Sequence, residues 1–254
     1  MARIRTSKLP APYLRHVQLN AGRVDNWQEY PFNLPLFASH AFEWTFTTPV
    51  TIIVGENGSG KSTLLEGIAV MCGFDQAGGG KGYMPLDHSR AMDRNGGDLA
   101  RALFGSWLPR IHDGWFFRAE TFFSVARFLD VAAREVDARP PDFLSHSHGE
   151  GFLRFFDERT RRQGLFIFDE PESALSPTRQ LDFLKLLARM EKEDACQIII
   201  ATHSPMIMAY PGATLLSLTR YGLEPVAVRD TAHFQLLQEF FKDPMGFVEA
   251  MVEG

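Results

Sequence analysis

Cysteine is scarce in this chain: Cys72 and Cys196 are its two in 254 residues, and each sits inside an apolar stretch. That excludes a disulfide-stapled scaffold and suits reduced core thiols in a cytoplasmic protein. Long hydrophobic runs are also lacking. No window reaches the roughly 20 apolar residues of a membrane helix. Arg3, Arg5 and Lys8 near the start are not followed by an apolar run of signal-peptide length. The expectation is a soluble chain without direct membrane insertion. Charge of one sign is missing too, since 26 Lys and Arg against 31 Asp and Glu leave a formal net charge of −5. Bulk electrostatics therefore do not mark a nucleic-acid binder, and any contact with DNA or RNA has to be local. Internal repeats, heptad runs and low-complexity tails are absent.

With 45% apolar residues, the chain has enough apolar side chain for one sizeable core. A single domain over 1–254 is expected, with a mostly helical inserted lobe at about 75–145. Residues 11–50 carry short apolar pieces, Tyr13 to Leu19 and Phe42 to Phe46, bounded by turn formers, and read as a small β-rich entry sheet. From Thr51 the texture changes. Thr51 to Val54, Leu165 to Phe168 and Ile198 to Ala201 are short unbroken apolar runs, as in parallel strands covered on both faces. Within the lobe, Gly78 to Lys81 is read as a mobile linker and Trp115 to Glu120 as a strand. Further on, Thr214 to Ser217 and Glu224 to Val228 flank Tyr221-Gly222 as a hairpin. Residues 232–252 read as two short helices split near Asp243-Pro244.

Gly55-Glu56-Asn57-Gly58-Ser59-Gly60-Lys61-Ser62 fits GxxxxGK[ST], directly after a buried strand and before the apolar-periodic helix Thr63 to Met71. Its glycines let the backbone curl so that successive N–H groups point at phosphates, and the helix amino end adds positive potential. Asn57, Gly58, Ser59, Gly60, Lys61, Ser62 and Thr63 are the nucleotide-binding candidates. Lys61 is expected on the β- and γ-phosphates, Ser62 on Mg²⁺ and Thr63 on the α-phosphate of ATP.

Leu165 to Phe168 run into Asp169-Glu170, two carboxylates at the carboxyl end of a buried strand, where α/β folds put their ligands. Asp169 is expected to hold Mg²⁺ and Glu170 to polarise the attacking water. The third strand ends at Thr202-His203-Ser204-Pro205, with His203 set to meet the γ-phosphate.

Taken together, GENGSGKST, LFIFDEPE followed by SALS, and IIIATHSP resemble the ABC-ATPase family in its order, over roughly residues 50–210. The resemblance implies an α/β fold, a P-loop NTPase of ABC-ATPase type, with a mainly parallel core sheet, an N-terminal β-rich sheet and an inserted helical lobe. Where the family carries LSGGQ, this chain has Ser147-His148-Gly149-Glu150-Gly151. Locally, Ser147 and Glu150 form a capping box ahead of an apolar face of Phe152, Phe155 and Phe156. By resemblance, Ser147 and Gly149 contact the γ-phosphate held by the other subunit of an ATP-induced homodimer. His148 and Glu150 depart from the pattern. Glu120 stands near the position of the family's Q-loop glutamine as a metal-proximal residue. Ser176, where many members carry aspartate, also makes an ordinary helix start with Pro177. Trp27, Tyr30 and Phe32 are candidates for stacking on adenine.

The resemblance implies MgATP hydrolysis coupled to dimer opening and closing. The chain looks like small bacterial AAA-type, SMC-like soluble ATPases with an SHGE signature, for which a nucleic-acid or nuclease partner is one reading. The energy subunit of a membrane transporter is disfavoured by the altered signature and the missing glutamine. A nucleotide-dependent switch with little turnover is disfavoured by Glu170. Arg154, Arg159, Arg161 and Arg162 are read as a solvated helix face.

Overall fold

The computed structural model describes residues 9–76, 78–81, 95–119 and 148–253, the side chains of residues 95 and 148–150 excepted. In chain order its elements begin with β1 (Leu14–Leu19), β2 (Glu43–Thr45), β3 (Val50–Val54) and α1 (Lys61–Cys72). Next come β4 (Gly79–Gly80), α2 (Asn95–Ala102), β5 (Leu103–Trp107), β6 (Gly114–Arg118), α3 (His148–Arg159) and β7 (Leu165–Asp169). The rest are α4 (Pro177–Lys192), β8 (Gln197–Ala201), α5 (Pro205–Met208), β9 (Thr214–Thr219), β10 (Gly222–Pro225), α6 (Ala232–Lys242) and α7 (Pro244–Glu253).

The core sheet runs β10-β9-β3-β8-β7-β6-β4. Strands β9, β3, β8, β7 and β6 are mutually parallel, while β10 and β4 join its two edges antiparallel. The unbroken apolar strands are explained by the two layers that cover them. Along β7, Phe166 and Phe168 pack with Phe152, Phe155 and Phe156 of α3 and Phe183 and Leu187 of α4. Leu165 and Ile167 point the other way, into a cluster with Leu64, Leu65 and Ile68 of α1 and with Leu14 and Val17 of β1. A strand alternates faces at every residue, so covering both faces demands apolar side chains throughout.

A separate antiparallel sheet, β2-β1-β5, lies against α1. It is tied to the core sheet by one buried amide. Gln197 at the start of β8 accepts from the backbone N–H groups of Tyr13 and Leu14, both at 2.8 Å, and donates to the Leu14 carbonyl at 3.0 Å.

Three features differ from the sequence reading. Trp115 to Arg118 is a strand, but of the core sheet, with Phe116 opposite Ile167 and Phe117 opposite Phe168. Leu103–Trp107, also within 75–145, is a strand of the antiparallel sheet, paired with β1. The helix α2 (Asn95–Ala102) is the described helical part of that segment, and residues 77, 82–94 and 120–145 of it lie outside the described residues. Third, Gly79 and Gly80 form a short edge strand against β6 rather than a linker. Glycine is needed there because a Cβ on Gly80 would stand 2.8 Å from the Trp115 ring. The hairpin and the paired terminal helices fall where the sequence puts them. Among the described residues no helix is long and apolar enough to cross a membrane.

Candidate functional site

Strand order places the site. Because β8 lies between β3 and β7, the loops leaving these three strands meet at one carboxyl edge. They are stitched there by Thr202 N–H to Ile53 O at 3.2 Å and Glu170 N–H to Ala201 O at 3.0 Å.

The loop after β3 ends at Gly60, which caps α1 with φ 98° and no side-chain hydrogen bond. Gly58 also has positive φ, 76°. Both are conformations that L side chains avoid, and they leave the first N–H groups of α1 for an external anion. A cleft of about 450 Å³ opens over this helix end, lined by Tyr30, Leu34, Asn57, Gly58, Gly60, Lys61, Ser62, Thr63 and Glu170. Lys61 is buried, and its ammonium donates to the carbonyls of Gly55 and Glu56, both at 2.9 Å. Burial holds it below the usual lysine range, against the pull of Glu170, Asp169 and Glu172. Ser59 flanks a neighbouring cavity rather than this cleft.

Ser62 Oγ donates to Asp169 Oδ1 at 3.0 Å. A hydroxyl and a carboxylate converging beside a phosphate-binding helix end form the donor set that Mg²⁺ takes together with phosphate oxygens. No cluster of three or more His, Cys, Asp or Glu side chains suited to a metal occurs among the described residues. The Ser62 hydroxyl and Asp169 carboxylate beside the open amino end of α1 fit a Mg²⁺-bound phosphate. Asp169 is buried, which pushes its carboxyl up to about 7, while Arg118 and Ser62 pull it down. Arg118 Nε stands 3.7 Å from Asp169 Oδ2, and its Nη1 lies 2.5 Å from Glu66 Oε1 on α1. Sequence reasoning missed this arginine. Its signal was a cation one residue past Phe117 at a strand end.

Glu170 leaves β7 with a left-handed backbone, φ 48° and ψ 54°. That costs a non-glycine residue about 1–2 kcal/mol, and it turns the side chain out of the strand's line into the cleft. Glu172, two residues on, is engaged elsewhere, accepting the His203 N–H at 2.5 Å. Its burial raises its carboxyl above the ordinary range. His203 Nε2 lies 3.5 Å from Glu170 Oε1. Lys61, Ser62, Asp169, Glu170 and His203 thus converge.

Of the aromatic candidates, Phe32 is core and Trp27 stacks on His40 with centroids 4.0 Å apart. Tyr30 lines the cleft, half exposed, its hydroxyl hydrogen-bonded to Thr63 Oγ1. Glu120 and Ser147 lie outside the described residues. Gly149 is in the first turn of α3, whose Phe152, Phe155 and Phe156 are fully buried. Ser176 accepts from Arg179 N–H at the start of α4, with Pro177 in the first turn. Arg154, Arg161 and Arg162 are exposed, as a solvated face implies, Arg154 pairing with Glu158 and Arg161 with Asp157, while Arg159 is half-buried over the Phe155 ring at 4.1 Å.

Residues 32–91 match an AAA-domain family. Residues 125–209 match a second AAA-domain family, whose description proposes an AbiEii toxin of a type IV toxin–antitoxin system. An OLD nuclease of Thermus scotoductus is 41% identical over 56 residues, 22% of this chain and 11% of that protein. The chain thus spans about a tenth of that relative's length. Among solved structures, CbiO1 of Clostridium perfringens, part of the ABC transporter complex CbiONQ, is 18% identical with a TM-score of 0.42, covering 95% of this chain and 99% of that one. The SMC head domain of Thermotoga maritima is 14% identical with a TM-score of 0.45, covering 85% and 98%. Core sheet, phosphate loop and the two AAA-domain matches together support a P-loop ATPase-type domain.

Proposed function

We propose that this chain binds MgATP in the cleft over α1 and hydrolyses it, with two copies closing on the nucleotide. The reading rests above all on the meeting of Ser62 and Asp169 at 3.0 Å beside the uncapped amino end of α1. Mg²⁺ held by Ser62 and Asp169 supplies Lewis-acid neutralisation of the phosphate charge. The α1 N–H groups and the Lys61 ammonium cradle the triphosphate, and Tyr30 offers its ring to the base. Glu170, whose carboxylate Glu172 does not compete with, accepts the proton of the attacking water. His203 donates from Nε2 toward the γ-phosphate, and Ser147 and Gly149 of a second copy complete the site. The partial likeness to an OLD nuclease, with the toxin–antitoxin description of the second family, favours a nucleic-acid-linked or defence role in the cytoplasm.

The test is titration of a fluorescent ATP analogue with Mg²⁺, and phosphate release with and without DNA or RNA. Lys61→Ala is expected to weaken binding by about two orders of magnitude or more, since it removes the buried cation facing a triphosphate. Near-normal affinity in that variant would sink the assignment of the cleft. Absence of phosphate release by the wild type under every condition would leave a binding switch instead of an enzyme.

A further inference from the structure

His203 is not alone. Its Nδ1 lies 2.7 Å from Nε2 of His233, thirty residues away in sequence and in the first turn of α6. The approach is pinned from both sides. On α6, Thr231 is buried, caps the helix through Phe234 N–H at 3.3 Å and donates to Val228 O at 2.7 Å. On the other side, the His203 backbone N–H is held by Glu172 at 2.5 Å. We propose that His233 is a positioning residue that fixes the tautomer of His203, so that Nε2 of His203 carries the proton and faces the γ-phosphate position. This rests on the reading of His203 as a γ-phosphate contact.

Two neutral imidazoles 2.7 Å apart must be one donor and one acceptor, and the two assignments are not equivalent. If His203 donates from Nδ1, its Nε2 is a bare lone pair. That atom is buried, without a hydrogen-bond partner, and 3.5 Å from the Glu170 carboxylate. Two electron-rich atoms would face each other there, and an anionic phosphate would be repelled as well. If His233 donates from Nε2, the His203 Nδ1 is satisfied as acceptor, and the Nε2–H of His203 faces Glu170, which lines the cleft. A buried acceptor aimed at a carboxylate is costly, so the second arrangement prevails. Both rings are in the neutral form this requires near pH 8, because burial holds each below the ordinary histidine range, with Lys61 pushing the same way. The charged and titratable groups around the pair are Glu170 and Lys61 beside His203, Glu172 on its backbone N–H, and Glu56 and Asp230 in the cavity of about 390 Å³ that His233 lines. His233 does not line the cleft over α1 but lies within hydrogen-bond distance of His203, so its effect on the cleft is expected to pass through His203.

The experiment is ¹⁵N NMR of histidine-labelled protein at pH 8 without nucleotide, comparing wild type, His233→Gln and His233→Phe, with steady-state ATPase kinetics on the same proteins. In the wild type, His203 should show a protonated Nε2 and an unprotonated Nδ1. His233→Phe should lose that preference and lower kcat by about 10-fold to 100-fold, the usual effect of removing an orienting partner, with KM for ATP little changed. His233→Gln, whose amide N–H can donate to Nδ1, should restore both. A wild-type His203 protonated at Nδ1 would overturn the proposal, as would His233→Phe with tautomer and kcat unchanged. Because the tautomer is read without ATP, a wild type lacking turnover would refute the ATPase reading while the NMR still decides the histidine pair.

Discussion

At the scale of single residues, Glu170 concentrates conflicting demands. Its left-handed backbone is unfavourable for a glutamate, yet it carries the carboxylate into the cleft, while the neighbouring Glu172 is spent on the His203 N–H. Strain of this kind persists where the surrounding contacts over-determine it, here the Glu170 N–H bond to Ala201 O and the parallel pairing of β7 with β8. Two substitutions separate the demands. Glu170→Gln keeps the size and hydrogen-bonding reach but cannot take a proton, so nucleotide affinity should be kept while turnover falls about 10² to 10⁴-fold. Glu170→Gly should lose turnover equally and yet leave the thermal midpoint unchanged or up to about 4 °C higher, since glycine accepts this backbone without steric cost. Calorimetry beside a phosphate-release assay checks both. A clear fall in the midpoint of the glycine variant would show that the Glu170 side chain is itself a stabilising contact.

At the scale of elements, the site depends on one amide that has no part in chemistry. Gln197 begins β8 and holds Tyr13 and Leu14 of the antiparallel sheet through three hydrogen bonds, fully buried. That sheet packs on α1, and Tyr30, in the connection between β1 and β2, lies on the rim of the cleft. Replacing Gln197 by Leu keeps the volume but strands two backbone donors and a carbonyl away from water. Each unsatisfied group costs about 1–3 kcal/mol, so a loss of about 3 kcal/mol or more is expected in urea unfolding. ATP affinity should fall less than stability, because the phosphate loop hangs on β3 and α1. Stability within 1 kcal/mol of wild type, by about the same scale, would mean that the sheets are held together by their apolar faces alone.

At the scale of the whole molecule, the proposed dimer joins the cleft of one copy to the start of α3 in the other. The buried Phe152, Phe155 and Phe156 clamp α3 against β6, β7 and α4, so the amino end of α3 is anchored to the same sheet that carries Asp169 and Glu170. In MgATP, the Glu170→Gln variant should elute from size exclusion as a stable dimer and the wild type mainly as monomer, with both monomeric when ATP is omitted. Adding Ser147→Arg to the glutamine variant should abolish the dimer while leaving nucleotide affinity per chain nearly intact. A dimer that survives the arginine would confine Ser147 and its neighbours to capping a helix.

What the sequence by itself determined is what is local. The apolar runs ending at Val54, Phe168 and Ala201 mark strands, and Gly55 to Ser62, Asp169-Glu170 and His203 lie within a few residues of their ends. Their chemistry travels with the strand, so once the strands are parallel neighbours the site assembles. Tertiary structure alone decided which strands are neighbours and what reaches them from afar. Nothing in Leu103–Trp107 or Gly114–Arg118 says that one segment pairs with β1 and the other with β7, because pairing is fixed by long-range packing and not by local period. The Arg118 guanidinium near Asp169, the Gln197 amide on β1 and the His233 ring on His203 are contacts between residues 30 to 183 apart where hydrogen-bonded, visible only once the chain has folded back on itself.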